Sequence, residues 1–592
     1  MYRAPISEIA FMMKHVAGLP ELLQSNRFSD LSEDLVDAIL TEAARFSEEE
    51  IAPLNRVGDQ QGSTLADGVV TVPDGWTECY RNWSEAGWNA LTGDPDYGGQ
   101  GLPVSLFMAT MEIWNAGSVA FGLCPTLTVG AIEALEEHAT PALKDVYLAK
   151  MITGEWTGTM NLTEPQAGSD LNALRSRAEP QADGSYRLFG QKIFITYGEH
   201  GMTENIIHLV LARLPDAPAG TRGISLFLVP KYLVDEEGNP GQRNDLKCSG
   251  IEHKLGIHAS PTCMMSFGDN EGAVGYLVGE ENKGLACMFT MMNNARLAVG
   301  VQGLGVAERA TQQAMAYAKE RKQGRAVGAE GPGMSPIAAH PDIKRSLLSM
   351  MALTSVARVL CFVCAHAIDM SRTGEDDAFW SDRAAFLTPF AKALSTDIAV
   401  EVASTGVQIH GGMGFVEETG AAQHFRDARI LPIYEGTNGI QAIDLVMRKI
   451  PLAGGEHVAG FIKELRDIVS DVGAANNPEL GTMAGCLDEA LNDVEEATAF
   501  INDAHGEGRT NDILAGATPY LRLFGLATGG CLLAKGAMAT LRQAATSNDD
   551  NNRLLVARYF SENLLAETKG LCRTVTRGAE STLAFDSFSV AS

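Results

Sequence analysis

The feature that most constrains this chain is a change of hydrophobic period. From about residue 156 to 280 the sequence breaks into short runs, YRLFGQKIFIT, NIIHLVLARL, RGISLFLVPK and TCMMSFGD, separated by the turn clusters PDAPAGT and EEGNPGQ. Runs rich in Ile, Val, Phe and Leu between such clusters predict β-strands. On either side the apolar residues recur at helical spacing. SEDLVDAILTEAARFSEEEIAPLN offers Ser32 as an N-cap, a stripe of Leu35, Ile39, Leu40 and Ala43, and a closing Pro53. A long helix is predicted from Arg296 to about Arg321, with Val306, Ala310, Ala314 and Tyr317 on one face. Helical patterning continues to about 450, where IPLAGGEH supplies a break, and resumes in LDEALNDVEEATAFINDA and NDDNNRLLVARYFSENLLAETKG.

This order predicts a multidomain α+β protein. A helical domain of residues 1–155 is followed by a β-barrel over 156–282, a helical bundle over 283–450 and an additional helical domain over 451–592, read as serving packing or oligomerisation. It excludes strand–helix alternation around a dinucleotide fingerprint. The nearest approach, GLGVAE at 303, lacks the third glycine and sits inside a helical pattern, where helix packing explains it.

Length and charge narrow the function. With 592 residues the chain has room for large cores, and 46 basic against 74 acidic residues give a formal charge of −28. Such a field repels phosphate backbones and anionic lipid headgroups, so neither nucleic acid nor stable membrane insertion is expected. No unbroken apolar run of membrane-spanning length is expected either. The N-terminus lacks a basic segment and a small-residue cleavage site, pointing to a cytoplasmic protein. The ten cysteines are scattered without metal-ligand spacing, and Cys361 and Cys364 read as buried helix residues. No metal site is expected.

Two segments have the composition of a site. PDYGGQGLP (95–103) could touch phosphate through its glycines, but reads more simply as a turn. RDARILPIYEGTNGIQAIDLVMRK (426–449) is an apolar run that ends in one carboxylate, Glu435, followed at once by Gly436, Thr437, Asn438 and Gly439. A carboxylate leaving an apolar segment is partly desolvated, which makes it a stronger base. Alone, the segment reads more simply as a capping or surface glutamate than as a base.

It does not stand alone. LTEPQAGSD (162–170), GQKIFIT (190–196), the 291–321 helix, VQIHGGMGF (407–415) and IYEGTNGIQ (433–441) occur in the order and setting of the acyl-CoA dehydrogenases, which residues 35–450 resemble. The resemblance implies a helical domain, a β-barrel and a four-helix bundle, with FAD bound where the last two meet. It implies that Glu435 removes the α-proton of an acyl-CoA thioester while the β-hydrogen leaves as hydride to flavin N5, giving a trans-2-enoyl-CoA. The thioester oxygen would be held by the backbone N–H of Glu435, with Gly436 allowing the close approach, and by a ribityl hydroxyl.

By the same resemblance Leu162, Thr163 and Thr196 line the flavin, and Phe194 takes the place of an aromatic covering it, its alternative being an ordinary β-core residue. Gly168 and Ser169 lie near the flavin and CoA phosphates, and Thr437 and Asn438 match the turn that holds the pyrophosphate. Arg296 matches a residue at the CoA portion of the substrate. Arg321, Gln408, Gly411 and Gly412 match residues reaching the FAD of a neighbouring subunit, which makes a homodimer part of the expectation. On one continuous helix Arg296 and Arg321 would stand roughly 37 Å apart, too far for one site. Gln323, Gly324 and Asn293 depart from common family residues, and His340 and His410 are expected to be structural.

The N-terminus, HPDIKR, GFVEETGAAQHFRDARI and the helical extension resemble a bacterial branch with longer chains, whose substrate is 3-methylmercaptopropionyl-CoA, a thioether formed during dimethylsulfoniopropionate breakdown. The expected product is methylthioacryloyl-CoA and the expected acceptor electron-transfer flavoprotein. A short- or medium-chain fatty acyl-CoA dehydrogenase is the alternative, with an acyl-CoA oxidase and a DNA-binding relative behind it.

Overall fold

The computed structural model describes residues 2–330, 332–543 and 547–585. The chain divides into two compact units, residues 42–298 and residues 1–41 with 299–592.

In the 42–298 unit, the helices Leu54–Gln61, Trp76–Glu85, Val104–Gly117, Val119–His138 and Pro141–Ile152 precede the sheet. Ser32 accepts from the N–H of Leu35 at the start of the preceding helix, Glu33–Phe46. Pro53 does not close that helix as predicted; the chain passes through a wide turn and Pro53 caps Leu54–Gln61. PDYGGQGLP is a turn packed on itself, where a Cβ on Gly99 would lie 1.9 Å from the Gly93 carbonyl oxygen.

The sheet has eight strands, β1 (Trp156–Asn161), β2 (Arg177–Pro180), β3 (Tyr186–Thr196), β4 (Asn205–Ala212), β5 (Ser225–Pro230), β6 (Leu246–Ile251), β7 (Thr262–Phe267) and β8 (Ala273–Val278). Their hydrogen-bonded order is β6-β7-β3-β8-β5-β4-β1, with β2 also on β3. All pairs are antiparallel except β1 with β4. Strand β3 pairs with three neighbours, which explains its length.

The second unit joins the bundle helices to the extension. Helix Gly284–Glu320, which contributes to both units, is unbroken, and GLGVAE lies inside it. A Cβ on Gly303 would lie 2.8 Å from the Ser395 carbonyl oxygen, so this glycine permits close helix packing. Helices Glu456–Ala475, Met483–Gly506, Thr510–Arg542, Asn548–Tyr559 and Glu567–Arg577 form the extension. They do not make a separate body: Gly525 and Gly529 of Thr510–Arg542 pack on Leu394 and Val356 of the bundle.

The first 41 residues also fold with this unit, and not with residues 42–155 as expected. Phe11, Met12 and Val16 pack near Gly536, and Glu8 pairs with Arg553. The apolar face Ile9, Phe11, Met12 and Met13 is buried there. Among the described residues three helices, Val119–His138, Pro341–Met370 and Thr510–Arg542, are long and apolar enough by length and composition to cross a membrane, although sequence reading, which looked for an unbroken apolar run, expected no such helix. They hold occasional polar residues, so mean hydropathy finds them where an unbroken run does not. In each case most of the apolar stretch is buried within the protein, as in core helices.

Candidate active site

Strand β3 carries the site's first anomaly. Between Lys192 and Ile195 it has one residue more than its partner stretch Cys263–Met265 on β7, a β-bulge. Phe194 sits in that bulge at φ +61°, and the residue is 58% exposed. An aromatic in left-handed backbone and turned to solvent is not the core residue that strand alternation allows. Strain of this kind concentrates at functional sites. Thr163 is held alongside: its carbonyl accepts from the N–H of Ile193 at 2.9 Å. Thr163 and Thr196 are both partly exposed, and Leu162 packs at the edge of the core.

Beneath this pair of segments lies a buried ion pair. Lys192, fully buried, donates to Glu164 Oε1 at 2.8 Å and to the Leu162 carbonyl at 3.0 Å. Glu164 also accepts from Ser176 N–H and Oγ, from Arg175 N–H and from Gln166. Burial works against its charge, but Lys192 and these donors outweigh it and hold the carboxyl down to about 2. Burial pulls Lys192 down to about 8 against the attraction of Glu164. Gly168 and Ser169 follow in an exposed turn, with open space where a Gly168 Cβ would stand. Arg296 is half-buried, donates to Asn293 Oδ1 at 3.2 Å and lies over the Phe289 ring.

In the other unit Glu435 lies in the turn between helices Ala421–Ala428 and Asn438–Asp444, half-buried, at φ +56°. Gly436 follows at φ +84°. Two consecutive left-handed residues make a sharp corner that lifts one carboxylate from the apolar segment. Each carbonyl of the corner is held by a side chain, that of Glu435 by Gln441 at 3.5 Å and that of Gly436 by Lys392 at 2.9 Å. Tyr434 donates to Gln302 on Gly284–Glu320, fixing the near side of the turn. Thr437 caps the next helix through the N–H of Ile440.

Asn438 has its side chain bonded within the protein. Its backbone N–H donates to the Pro432 carbonyl, and its amide group to the Ala393 carbonyl, Thr396 Oγ1 and Asp397 Oδ1, while its Oδ1 accepts from Lys392. With these donors spent inside the protein, Asn438 holds the turn. Burial raises the Asp397 carboxyl, which the Asn438 bond only partly offsets.

Arg321 and the Gln408, Gly411, Gly412 turn come together at another place in the same unit. Tyr317, one turn before Arg321, stacks on His410, the residue before Gly411, at 4.4 Å. Arg321, Gln408, Gly411 and Gly412 are all exposed. His410 is buried and bonded to the Gly406 carbonyl, and His340 to that of Gln323, both structural as expected. Cys361 and Cys364 are buried helix residues.

The residues fit a planar heteroaromatic cofactor with a polar tail: an exposed aromatic on left-handed backbone, two partly exposed threonines on the adjoining segments and an open Gly-Ser turn. Sequence reading missed Glu164, Lys192 and Lys392. Its available signal was a lone lysine inside an apolar run, Lys192 in GQKIFIT and Lys392 in TPFAKALST.

Profiles of the acyl-CoA dehydrogenase N-terminal, middle and C-terminal domains match residues 34–155, 159–270 and 282–450, and an acetyl-CoA dehydrogenase C-terminal-like profile matches 461–586. The chain is 44% identical to a 3-methylmercaptopropionyl-CoA dehydrogenase of Ruegeria pomeroyi, covering 98% of this chain and 99% of that one. It is 34% identical to a butyryl-CoA dehydrogenase of Syntrophomonas wolfei over 82% of this chain and 81% of the relative. Among solved structures, Caenorhabditis elegans ACDH-11 in complex with C11-CoA superposes with a TM-score of 0.76 at 20% identity, covering 97% of this chain and 95% of that one, a likeness of fold. A helical, sheet and helical series with an extension, a carboxylate lifted on a left-handed corner, and relatives aligned over nearly the whole length lead to one assignment: the chain belongs to the acyl-CoA dehydrogenase family.

Proposed function

We propose that this chain dehydrogenates 3-methylmercaptopropionyl-CoA to methylthioacryloyl-CoA, with Glu435 as the base. The observation that carries the chemistry is the half-buried Glu435 carboxylate on a strained, doubly held turn. The substrate rests on the full-length likeness to the Ruegeria enzyme. Glu435 removes the α-proton, and its backbone N–H, turned by the corner it shares with Gly436, donates to the thioester oxygen as negative charge develops there. A donor placed in this way contributes about 3 kcal/mol. FAD, when bound, accepts the β-hydride. Leu162, Thr163, Thr196 and Phe194 would hold its ring, with Gly168, Ser169 and Thr437 at its polar tail, and Arg296 would meet the CoA portion.

Arg321, Gln408, Gly411 and Gly412 serve a second subunit's FAD. Glu435 is tied to Gly284–Glu320 at Gln302, through Tyr434, and Arg321 follows nineteen residues later. At 1.5 Å per residue that is about 28 Å along the helix, beyond the reach of one site. A homodimer, and electron-transfer flavoprotein as acceptor, complete the reading.

The test is anaerobic reduction of the flavin by 3-methylmercaptopropionyl-, propionyl-, butyryl- and octanoyl-CoA. The thioether substrate should give the highest kcat/KM. Faster reduction by butyryl-CoA would favour the second reading, a short-chain fatty acyl-CoA dehydrogenase, which the Syntrophomonas relative supports. Stoichiometric hydrogen peroxide under air would indicate an oxidase.

A further inference from the structure

We infer that Lys392 is the positioning residue of the base. Its inference rests on Glu435 being that base. Lys392 lies in the wide turn Phe390–Leu394, between Asp377–Pro389 and Ser395–His410, with no exposed surface. An ammonium buried in a helical core is costly unless its donors are satisfied. Here Nζ spends two of them on the turn that carries Glu435, at the Gly436 carbonyl (2.9 Å) and Asn438 Oδ1 (2.8 Å).

The Gly436 carbonyl belongs to the peptide that follows the left-handed corner. Its orientation decides whether Glu435 and Gly436 stay at φ +56° and φ +84° or relax. A charged donor bonds a carbonyl about twice as strongly as a neutral one and fixes the peptide plane. Asn438 joins Lys392 to the start of Ser395–His410 through Ala393, Thr396 and Asp397, so the corner is referred to a rigid helix and not to its own loop. Across the turn, Gln441 is the weaker hold on the Glu435 carbonyl, at 3.5 Å. Lys392 touches no reacting atom; it sets where the carboxylate and the adjacent N–H stand.

Lys392→Met keeps an unbranched side chain one atom shorter and removes the donor. In the FAD-loaded enzyme the expected result is a fall of about 10- to 100-fold in flavin reduction at saturating acyl-CoA, the size of effect a displacement near 1 Å produces. KM and flavin content should stay near native, because ground-state binding is not touched. The isotope effect from α-deuterated substrate should rise, since proton removal becomes more fully rate-limiting, and Lys392→Arg should restore part of the rate. A merely structural role would change flavin content or melting without raising the isotope effect. Reduction within twofold of native by a folded, flavin-loaded Lys392→Met overturns the inference. If that variant does not fold, Asn438→Ala releases the other end of Lys392. A reduced rate with a raised isotope effect then supports the inference, and a native rate and isotope effect overturn it. Glu435→Gln run in parallel separates the two claims: if it keeps turnover, the assignment of the base fails whatever Lys392 does.

Discussion

Glu435 allows its backbone and its chemistry to be perturbed separately. At φ +56° a residue with a Cβ carries about 1–2 kcal/mol of strain that glycine does not. Glu435→Ala deletes the carboxylate and keeps the strain, whereas Glu435→Gly deletes both. Glycine also returns about 0.5–1 kcal/mol to the unfolded chain as entropy. The difference leaves the glycine variant more stable than the alanine variant by about 1 kcal/mol, or about 2 °C in the apparent melting temperature of a large unit. Ile433, two residues earlier, is exposed and outside the left-handed region, so there the order should reverse, with Ile433→Gly below Ile433→Ala. Parallel melts of the four FAD-loaded variants at one scan rate give the comparison, and anaerobic flavin reduction gives the activity. Both Glu435 variants should lose about 10²- to 10⁴-fold, the usual worth of a general base. An alanine variant more stable than the glycine variant would refute the claim that the turn is held left-handed. Near-native reduction by either would refute the base.

The buried pair of Glu164 and Lys192 makes a sharper stability test. Glu164, held at about 2 against an ordinary 4.5, contributes stability that is present above about pH 4.5 and lost as pH falls toward 2. Lys192, pulled to about 8 from 10.5, carries a cost that is present below about pH 8 and disappears as pH rises toward 10.5. The two displacements act with opposite signs, so at neutral pH they offset one another in part. Lys192→Met alone should cost about 3–5 kcal/mol at pH 7, and Glu164→Gln with Lys192→Met far less. Equal denaturant midpoints for the single and double variants would sink this. Gly300→Val should destabilise the bundle by about 1–3 kcal/mol or more, since a Cβ there would lie 2.2 Å from the Ala391 carbonyl oxygen; an unchanged melting temperature would show that the helices can part.

The legible parts of the fold were those whose side chains follow a period. Tyr186–Thr196 is a strand with the ends the sequence predicts. Trp156–Asn161 is also a strand, buried on both faces, but its WTGTMN composition lacks any apolar alternation. It tolerates burial because its polar groups pair sideways, Thr157 with His200 and Thr159 with His208, and because Gly158 lets Ala131 approach. Those partners lie more than 25 residues away in sequence, so no local pattern announces them. The site divides in the same way. Glu435 and Phe194 are recognisable from motifs, but their left-handed backbone is not, since neither Glu nor Phe favours it. Phe194 sits in the β-bulge against β7, and the Glu435 corner is bonded by Lys392, both contacts made with distant segments.

The same distribution of charge explains how a chain of −28 can serve two anionic molecules, FAD and an acyl-CoA. At physiological salt the field of exposed charges is screened over about 8 Å, so the global excess of carboxylates weakens encounter more than it weakens a bound phosphate. The buried cations do not answer that need: Lys192 is matched to Glu164, and Lys392 is committed to Gly436 and Asn438. They act as donors to carbonyls, a side-chain amide and a carboxylate. In the proposed reading binding comes from groups that are at least partly exposed, the Gly168–Ser169 turn, Thr163, Thr196, Arg296 and Arg321. Lys192 and Lys392 are buried and bonded inside the protein, whereas Arg296 is half-buried and Arg321 exposed. In an acidic protein buried cations can be numerous without making the surface attractive to nucleic acid.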